Sequence, residues 1–260
     1  MSTRTHAGPL LREWRTRRRL SQLDLSTRTG VSTRHLSCVE TGRSKPSREL
    51  LLHLASDLDV PLRVSNDLLL AAGFAPVYAE RAIDDEAMTP IREVIELILN
   101  GNDPNPTTVI DRRWNLINAN APAFWLCADV AQHLLEDGIN VARLTLHPDG
   151  LAGRISDFDA FAAQLLSHMR HTLAATHDPE LSALIAECSE YAPGAEHTMM
   201  RGDEIVLPMR INIGGDVLSF LSTVTAFGAA RDVTVADLSI ETLYPTNDAT
   251  RTALQSRPWT

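Results

Sequence analysis

The sequence predicts two domains, an all-α N-terminal domain followed by an α+β C-terminal domain with a five-stranded antiparallel sheet. Short amphipathic segments with helix-capping residues fill roughly the first 75 residues. Stretches rich in Val, Ile, Leu and Thr, typical of strands, follow beyond residue 105. Charge divides in the same way. Residues 1–50 carry eleven Arg or Lys against four Asp or Glu, whereas the other 210 residues carry thirteen against twenty-nine. A basic N-terminal domain beside an acidic body indicates that only the former contacts a polyanion.

The stretch 30–47 is the centre of the N-terminal domain. Gly30 ends one short helix, and Ser32 is placed to cap the next. Leu36 and Val39 share one face of that second helix, while its other face carries polar side chains. Another capped helix comes directly before. Two short helices around a tight glycine turn predict a helix-turn-helix motif, whose second helix reads base edges in the major groove.

The other helices of this domain follow from the same periodicity. They are expected at 10–19, 50–58 and 61–73. Pro61 starts the last of them and Gly73 ends it. We place this DNA-binding domain at 8–75 and a linker with one further helix at 76–105.

Candidate DNA contacts follow from what the duplex requires. Phosphates need cations, and base edges need short polar or bidentate side chains. Residues on or beside the two motif helices meet these requirements, namely Gln22, Ser32, Thr33, Arg34, His35, Ser37, Cys38, Arg43, Lys45, Arg17 and Arg18. We expect Arg34 to read a guanine and Arg43 and Lys45 to hold phosphates. Gln22 and Ser32 are expected to meet phosphate near the edge of the groove. For Arg17 and Arg18 the alternative is a solvated helix end that complements the helix dipole.

Residue types also recur at fixed spacing through the motif, namely Ser21-Gln22, Gly30, Val31-Ser32, Leu36, Val39-Glu40, Gly42 and Pro46-Ser47. This pattern resembles the XRE, or Cro/C1-type, helix-turn-helix family over roughly residues 8–75. The resemblance implies a sequence-specific DNA-binding transcription regulator. It also implies that Arg15 pairs with Glu40 and locks the first helix to the third.

Beyond residue 105 the pattern predicts two strands, a helical insert and three strands. The two strands lie in 107–120, the helices at 123–135, 156–177 and 179–191, and the later strands at 204–213, 217–227 and 233–244. This is the element order of a PAS-type domain, which we place at 106–245. Residues 246–260 are expected to be loosely ordered.

Two phrases in this region carry a second resemblance. They read Val109-Ile110-Asp111-Arg112-Arg113-Trp114-Asn115 with Asn118-Ala119-Asn120, and Leu146-His147-Pro148-Asp149-Gly150-Leu151. Over about residues 100–245 the chain resembles the ligand-binding domain of MmyB-like transcription regulators. That resemblance implies a PAS-like sensor fold whose cavity takes fatty acids or other long apolar effectors.

Composition shows that such a cavity is feasible. Large apolar side chains that could surround it are Trp114, Phe124, Trp125, Phe161, Leu165, Met169, Met209, Ile211 and Phe220. For each of them the alternative is an ordinary core position.

Other chemistry has no candidate set. The sequence contains no GxSxG, P-loop or dinucleotide fingerprint, so we expect no enzyme. His168, His171 and His177 lack further converging ligands, and the three cysteines lie far apart, so no metal site is expected. No apolar run is long enough to span a membrane and no signal peptide is apparent, so a cytoplasmic location is expected.

Together these observations predict a regulator that binds a palindromic operator as a homodimer and whose affinity is set by a small apolar effector. The alternative keeps the DNA-binding domain but makes the C-terminal domain a ligand-free dimerisation or protein-interaction module.

Overall fold

A computed structural model describes residues 7–136, 138–198 and 207–259. The chain divides into two compact units, one formed by residues 1–81 with 230–236 and the other by 82–229 with 237–260. We refer to them as the N-terminal unit and the C-terminal unit. In the part of the chain described here, no helix is long and apolar enough to cross a membrane.

The N-terminal unit begins with five short helices: α1 (Ala7–Arg17), α2 (Gln22–Thr29), α3 (Thr33–Glu40), α4 (Arg48–Asp57) and α5 (Leu62–Ala71). Serine hydroxyls start three of them, because Ser21, Ser32 and Ser47 each accept a hydrogen bond from a backbone N–H of the first turn. Their apolar faces meet in a core of buried residues that includes Leu11, Leu25, Leu36, Leu51, Leu54, Leu58, Leu68 and Leu69.

The first helix ends two residues earlier than predicted. Arg19 has a φ of 55°, in the left-handed region, and the Leu20 N–H donates to the carbonyl oxygen of Arg15 over 3.1 Å. This reversed turn closes the helix end and points the chain toward α2.

The C-terminal unit contains one antiparallel sheet. Its strands are β1 (Thr107–Ile110), β2 (Leu116–Ala119), β3 (Ile155–Ser156), β4 (Met209–Ile213), β5 (Asp216–Ala226) and β6 (Ser239–Pro245). They lie in the order β2-β1-β6-β5-β4-β3. The predicted count of five strands is wrong, because the two-residue β3 pairs with β4 as a sixth. The predicted strand at 204–213 begins at Met209 in the structure, and residues 204–206 lie outside the described ranges.

The helices of this unit are α6 (Thr89–Gly101), α7 (Ala121–Leu126), α8 (Val141–Leu146), α9 (Phe158–Thr176), α10 (Pro179–Tyr191) and α12 (Asp248–Gln255). A further short helix, α11 (Val233–Ala236), belongs to the N-terminal unit. The helix predicted at 123–135 ends at Leu126. The residues expected to be loosely ordered instead include α12, in which Leu254 is buried. The Trp259 indole N–H donates to the Leu254 carbonyl and holds the chain beyond α12.

Strand pairing assigns the side chains of the sheet to two faces. Val109 pairs with Ile240, and both pack with Ile95 and Leu99 of α6. Side chains alternate along a strand, so the neighbouring pair, Thr108 and Glu241, faces the opposite side. That second face is the one that carries the cavity described below.

Residues 230–236, between β5 and β6 in sequence, belong to the N-terminal unit. Asp232 pairs with Ala79 in a parallel bridge and accepts a hydrogen bond from Arg81 over 2.8 Å. Thr234 donates its hydroxyl to the carbonyl oxygen of Arg81. The N-terminal unit is therefore completed by a segment from the far end of the sequence.

Candidate DNA-reading helix and ligand cavity

The outer face of α3 is polar and accessible. Thr33 and Arg34 are exposed, whereas Leu36 and Val39 are buried in the helical core. Between the two faces lie half-buried side chains, those of His35, Ser37 and Cys38. The predicted packing face of this helix agrees with this arrangement, and base reading by the other face remains a prediction.

The start of α3 is also an anion-binding geometry. Ser32 accepts a hydrogen bond from the His35 backbone N–H over 3.2 Å, which leaves its hydroxyl proton available for another acceptor. The N-terminus of a helix carries partial positive charge, so a phosphate oxygen near Ser32 would be favoured.

A buried ion pair fixes the other end of α3. Arg15 Nε and Nη2 donate to the two oxygens of Glu40 over 2.6 and 2.9 Å, and Arg15 Nη1 also donates to the Leu20 carbonyl. The Gln22 side-chain amide donates to Glu40 over 2.8 Å. Burial disfavours the charge of Glu40, but the hydrogen bonds from Arg15 and Gln22 outweigh it and lower the pKa of this carboxyl. Gln22, expected to meet phosphate, thus also joins α2 to α3.

The predicted phosphate-binding cations occupy two different settings. Arg43 and Lys45 follow α3 and are exposed, and the Lys45 ammonium lies 5.4 Å from the Phe74 ring centroid. Arg17 donates to Glu13 over 2.7 Å. Arg18 donates to the carbonyl oxygens of Leu58 and Asp59, both over 2.8 Å, and so caps the end of α4. Arg17 and Arg18 thus have partners within the domain, and phosphate contact by either remains a prediction.

In the C-terminal unit an apolar cavity lies against one face of the sheet. The cavity volume is about 110 Å³, and the empty space is about 840 Å³ when the open mouth is included. The described residues that line it come from β1, β2, β4, β6, α7, α8, α9 and the connecting loops: Pro106, Thr108, Trp114, Leu116, Ala119, Ala123, Phe124, Leu126, Cys127, Leu135, Ile139, Val141, Leu144, Thr145, Leu151, Phe161, Leu165, Met209, Glu241 and Leu243. Small-molecule sites typically combine such an apolar lining with a few polar groups.

The predicted cavity residues divide between this lining and the core. Those on the lining are Trp114, Phe124, Phe161, Leu165 and Met209. Those placed elsewhere are Trp125, Met169, Ile211 and Phe220. Trp125 packs edge-on against Trp259, and the other three are fully buried. A hydrophobic side chain looks the same in sequence whether it faces a neighbour or a cavity.

Glu241 is the lining residue that sequence reasoning missed and that matters most chemically. It is half-buried, and the Ser222 hydroxyl donates a hydrogen bond to its carboxyl. Burial raises the pKa of Glu241, against the smaller opposing effects of Ser222 and of His168. The one sequence signal is a charged residue inside a stretch of alternating strand residues.

The turn between β1 and β2 holds Trp114 against the cavity. Arg112 and Arg113 both donate to Asp178, over 2.8 and 2.7 Å, and Arg112 also donates to Asp237 over 2.6 Å. Asp178 is buried and caps α10 through the Glu180 N–H. Burial opposes its charge, yet the hydrogen bonds from Arg113 and Arg112 lower the pKa of Asp178 to about 2. The stretch from Asp111 to Asn115 is thus fixed in place by ion pairs to Asp178 and Asp237.

Among the described residues, one group of side chains could hold a metal ion. Donor atoms of His133, His147 and Asp149 lie within 4.8 Å of one another. Two of the three residues are exposed, and the Asp149 backbone N–H already donates to His147 Nδ1 over 3.0 Å. The histidines considered from sequence, His168, His171 and His177, are exposed and stand outside this group.

Comparison with known proteins identifies both units. A helix-turn-helix family model matches residues 11–64. The model of the MmyB-like transcription regulator ligand binding domain matches residues 91–256, nearly two thirds of the chain. A search of curated proteins found no match. Neither matched family is a family of enzymes. The chain is therefore a DNA-binding transcription regulator with a ligand-binding domain, and it belongs to the family of MmyB-like transcription regulators.

Proposed function

We propose that this protein binds a palindromic operator as a homodimer through α3, and that a small apolar effector in the cavity changes its DNA affinity. The observation that carries the proposal is the combination of an exposed polar reading face in one unit with an apolar cavity in the other. The expected location is the cytoplasm. The strand order also supports a PAS-like sensor.

On the DNA, we assign base reading to the exposed face of α3. Arg34 has the fork of donors that matches O6 and N7 of guanine, and Thr33 and Ser37 are short enough to reach neighbouring base edges. His35 and Cys38 lie at the border of that face. Ser32, Gln22, Arg43 and Lys45 supply phosphate contacts, which position the helix without reading sequence.

One short helix reads only about half of an operator, so two copies one DNA turn apart are needed for a specific site. Sedimentation of the full chain, with and without operator DNA, tests this part of the proposal. A monomer under both conditions would contradict it.

The effector is expected to be held mainly by burial of apolar surface. Each methylene removed from water contributes about 0.8 kcal/mol, so a chain of moderate length binds without many polar contacts. A fatty acid is the effector that the family resemblance suggests. Any effector shifts DNA binding only as far as it prefers one conformation of the regulator over another.

The testing experiment is fluorescence anisotropy with DNA from the region upstream of the protein's own gene, with and without an extract of cellular lipids. We expect DNA binding in the nanomolar range and a changed affinity when lipid is added. R34A compared with R43A separates base recognition from charge attraction, since each variant removes one positive charge. DNA binding that no extract fraction changes would remove the effector from the proposal.

DNA binding that lipid does not change would favour the alternative in which the C-terminal domain is a ligand-free interaction module. One observation supports this alternative. On α6, Leu97 is 71% exposed and Val94 is 40% exposed, an apolar pair that a second polypeptide could cover. Charged replacement of Leu97 would then change the oligomeric state.

A further inference from the structure

We propose that His133, His147 and Asp149 form a binding site for a divalent transition-metal ion, and that zinc is the ion which suits this ligand set. Donor atoms of the three side chains lie within 4.8 Å of one another. All three residues are outside the described lining of the effector cavity, so the site does not depend on the function proposed above. It departs from the sequence-based expectation of no metal site.

Backbone hydrogen bonds fix the two segments that carry these ligands. The Ala131 N–H donates to the Asp149 carbonyl oxygen over 3.1 Å, which joins the segment before His133 to the turn after α8. The His147 N–H donates to a carbonyl oxygen of α8 over 2.9 Å. Leu134 is buried and anchors the short helical turn that carries His133. The ligands therefore sit on a backbone that is ordered before an ion binds, which favours binding.

The His147 ring is held with a nitrogen lone pair directed at Asp149. It packs edge-on against the Tyr191 ring, with centroids 4.7 Å apart, and against the His133 ring at 5.5 Å. Its Nδ1 accepts the Asp149 backbone N–H over 3.0 Å and lies 3.9 Å from an Asp149 carboxylate oxygen. A ring nitrogen that accepts a hydrogen bond carries no proton, and this is the state that a metal ion requires. An ion at Nδ1 replaces that hydrogen bond, and water can reach the released N–H because Asp149 is exposed.

The other two ligands are accessible to an ion. His133 and Asp149 are exposed, and within the described ranges neither the His133 ring nor the Asp149 carboxylate takes part in a hydrogen bond. The carboxylate of Glu187 is different, since the Arg143 guanidinium and the Tyr191 hydroxyl both donate to it. We therefore leave Glu187 out of the ligand set, which consists of two imidazoles and one carboxylate.

This ligand set suits zinc. Zn²⁺ binds histidine nitrogen and carboxylate oxygen at about 2.0–2.2 Å, so two ligand atoms of one ion are at most about 4 Å apart. Donor atoms within 4.8 Å of one another reach that spacing through small side-chain rotations, which two exposed side chains allow. Three protein ligands leave the fourth tetrahedral position to water. Magnesium and calcium prefer oxygen ligands throughout and fit this set poorly.

The test titrates zinc sulfate calorimetrically into the untagged full chain, after a chelator has removed bound metal. We expect one high-affinity zinc ion per chain and a higher melting temperature with zinc, because an ion that binds the folded chain stabilises it. H133A and D149N should each weaken zinc binding at least about ten-fold, since each removes a ligand. Magnesium sulfate should give no comparable binding.

Matched controls remove the same residue types elsewhere. H171A removes an exposed histidine of α9, and D216N removes a carboxylate at the exposed start of β5. Both should bind zinc within about two-fold of wild type, because neither residue belongs to the group.

Several results would overturn the proposal. These are a wild-type chain that binds no zinc, zinc binding that is undiminished in H133A or D149N, or a loss in H171A or D216N as large as in the ligand variants. His133 and Asp149 are both exposed, so their replacement leaves the core intact and the two variants test one site independently. Failure here leaves the effector cavity and DNA binding untouched, since neither uses these side chains.

Discussion

Arg15 and Glu40 form a buried, two-pronged ion pair that joins α1 to the last residue of α3. Side-chain exposure is 11% for Arg15 and 2% for Glu40, so neither charge can be rehydrated if its partner is lost. The pair therefore sets the position of α3 in the N-terminal unit. We expect any base recognition by α3 to require that this ion pair is formed.

R15A should destabilise the N-terminal unit by about 3 kcal/mol, because it leaves the Glu40 carboxylate buried and unpaired. Urea denaturation followed by circular dichroism measures the change in unfolding free energy. The double variant R15M/E40L should recover part of the loss, since it removes both charges. E13A, which removes a partly exposed carboxylate, should cost less than about 1 kcal/mol. A loss for R15A no larger than that of E13A would contradict the structural role.

R34A should weaken binding to the best operator by about 1–3 kcal/mol and should relax specificity at one base pair, because Arg34 is assigned to a guanine. Competition binding against a randomised DNA library, with the wild-type protein as reference, measures both quantities. R43A is the matched control, since loss of a phosphate contact should weaken binding to all sequences alike. Equal losses for R34A on operator and random DNA would remove Arg34 from base reading.

A119L should close part of the cavity, because Ala119 lines it from β2. We expect effector binding to fall markedly while DNA affinity in the absence of effector stays within about two-fold of wild type. Calorimetry with the effector and anisotropy with DNA give the two values. A186L, the same change on an exposed position of α10, should alter neither. Undiminished effector binding in A119L would place the effector elsewhere.

D178N should lower the unfolding free energy at pH 7 by about 2 kcal/mol, because Asp178 loses its charge while an asparagine can still cap α10. The pKa of Asp178 in the folded chain, about 2, lies below the ordinary value of 3.8. Its stabilising effect is therefore complete above the ordinary value and is lost as the pH falls from 3.8 toward 2.

Urea denaturation of wild type and D178N at pH 7, 4 and 3 tests this dependence. The difference between the two proteins should shrink as the pH falls, whereas D216N should track the wild type throughout. A difference that stays constant down to pH 3 would mean that Asp178 acts by shape and not by charge.

The helices of the N-terminal unit could be predicted because their signals are local. Ser21, Ser32 and Ser47 each cap the helix that begins at the next residue, by accepting a hydrogen bond from the backbone N–H three residues later. Gly30 provides the left-handed turn that ends α2. Pro179 in the first turn of α10 is a signal of the same kind. Such signals lie in the sequence directly beside the helices that they specify.

The cavity could be predicted only in part, because its lining depends on pairing between distant strands. The last strand was expected from residue 233, whereas Val233–Ala236 forms α11 and β6 starts at Ser239. Alternation alone puts Glu241 on one face or the other, and the pairing with Thr108 decides which. Trp125 and Trp114 are equally apolar in sequence, yet only Trp114 lines the cavity.

Residues 230–236 make the N-terminal unit discontinuous in the gene that encodes it. A fragment that stops at residue 81 lacks Asp232, the partner of both Ala79 and the Arg81 guanidinium. Recombination between relatives therefore cannot transfer the whole N-terminal unit as one continuous stretch of sequence. A functional chimera has to inherit two separate stretches from the same parent, and a single crossover after residue 81 joins Arg81 to a foreign partner segment.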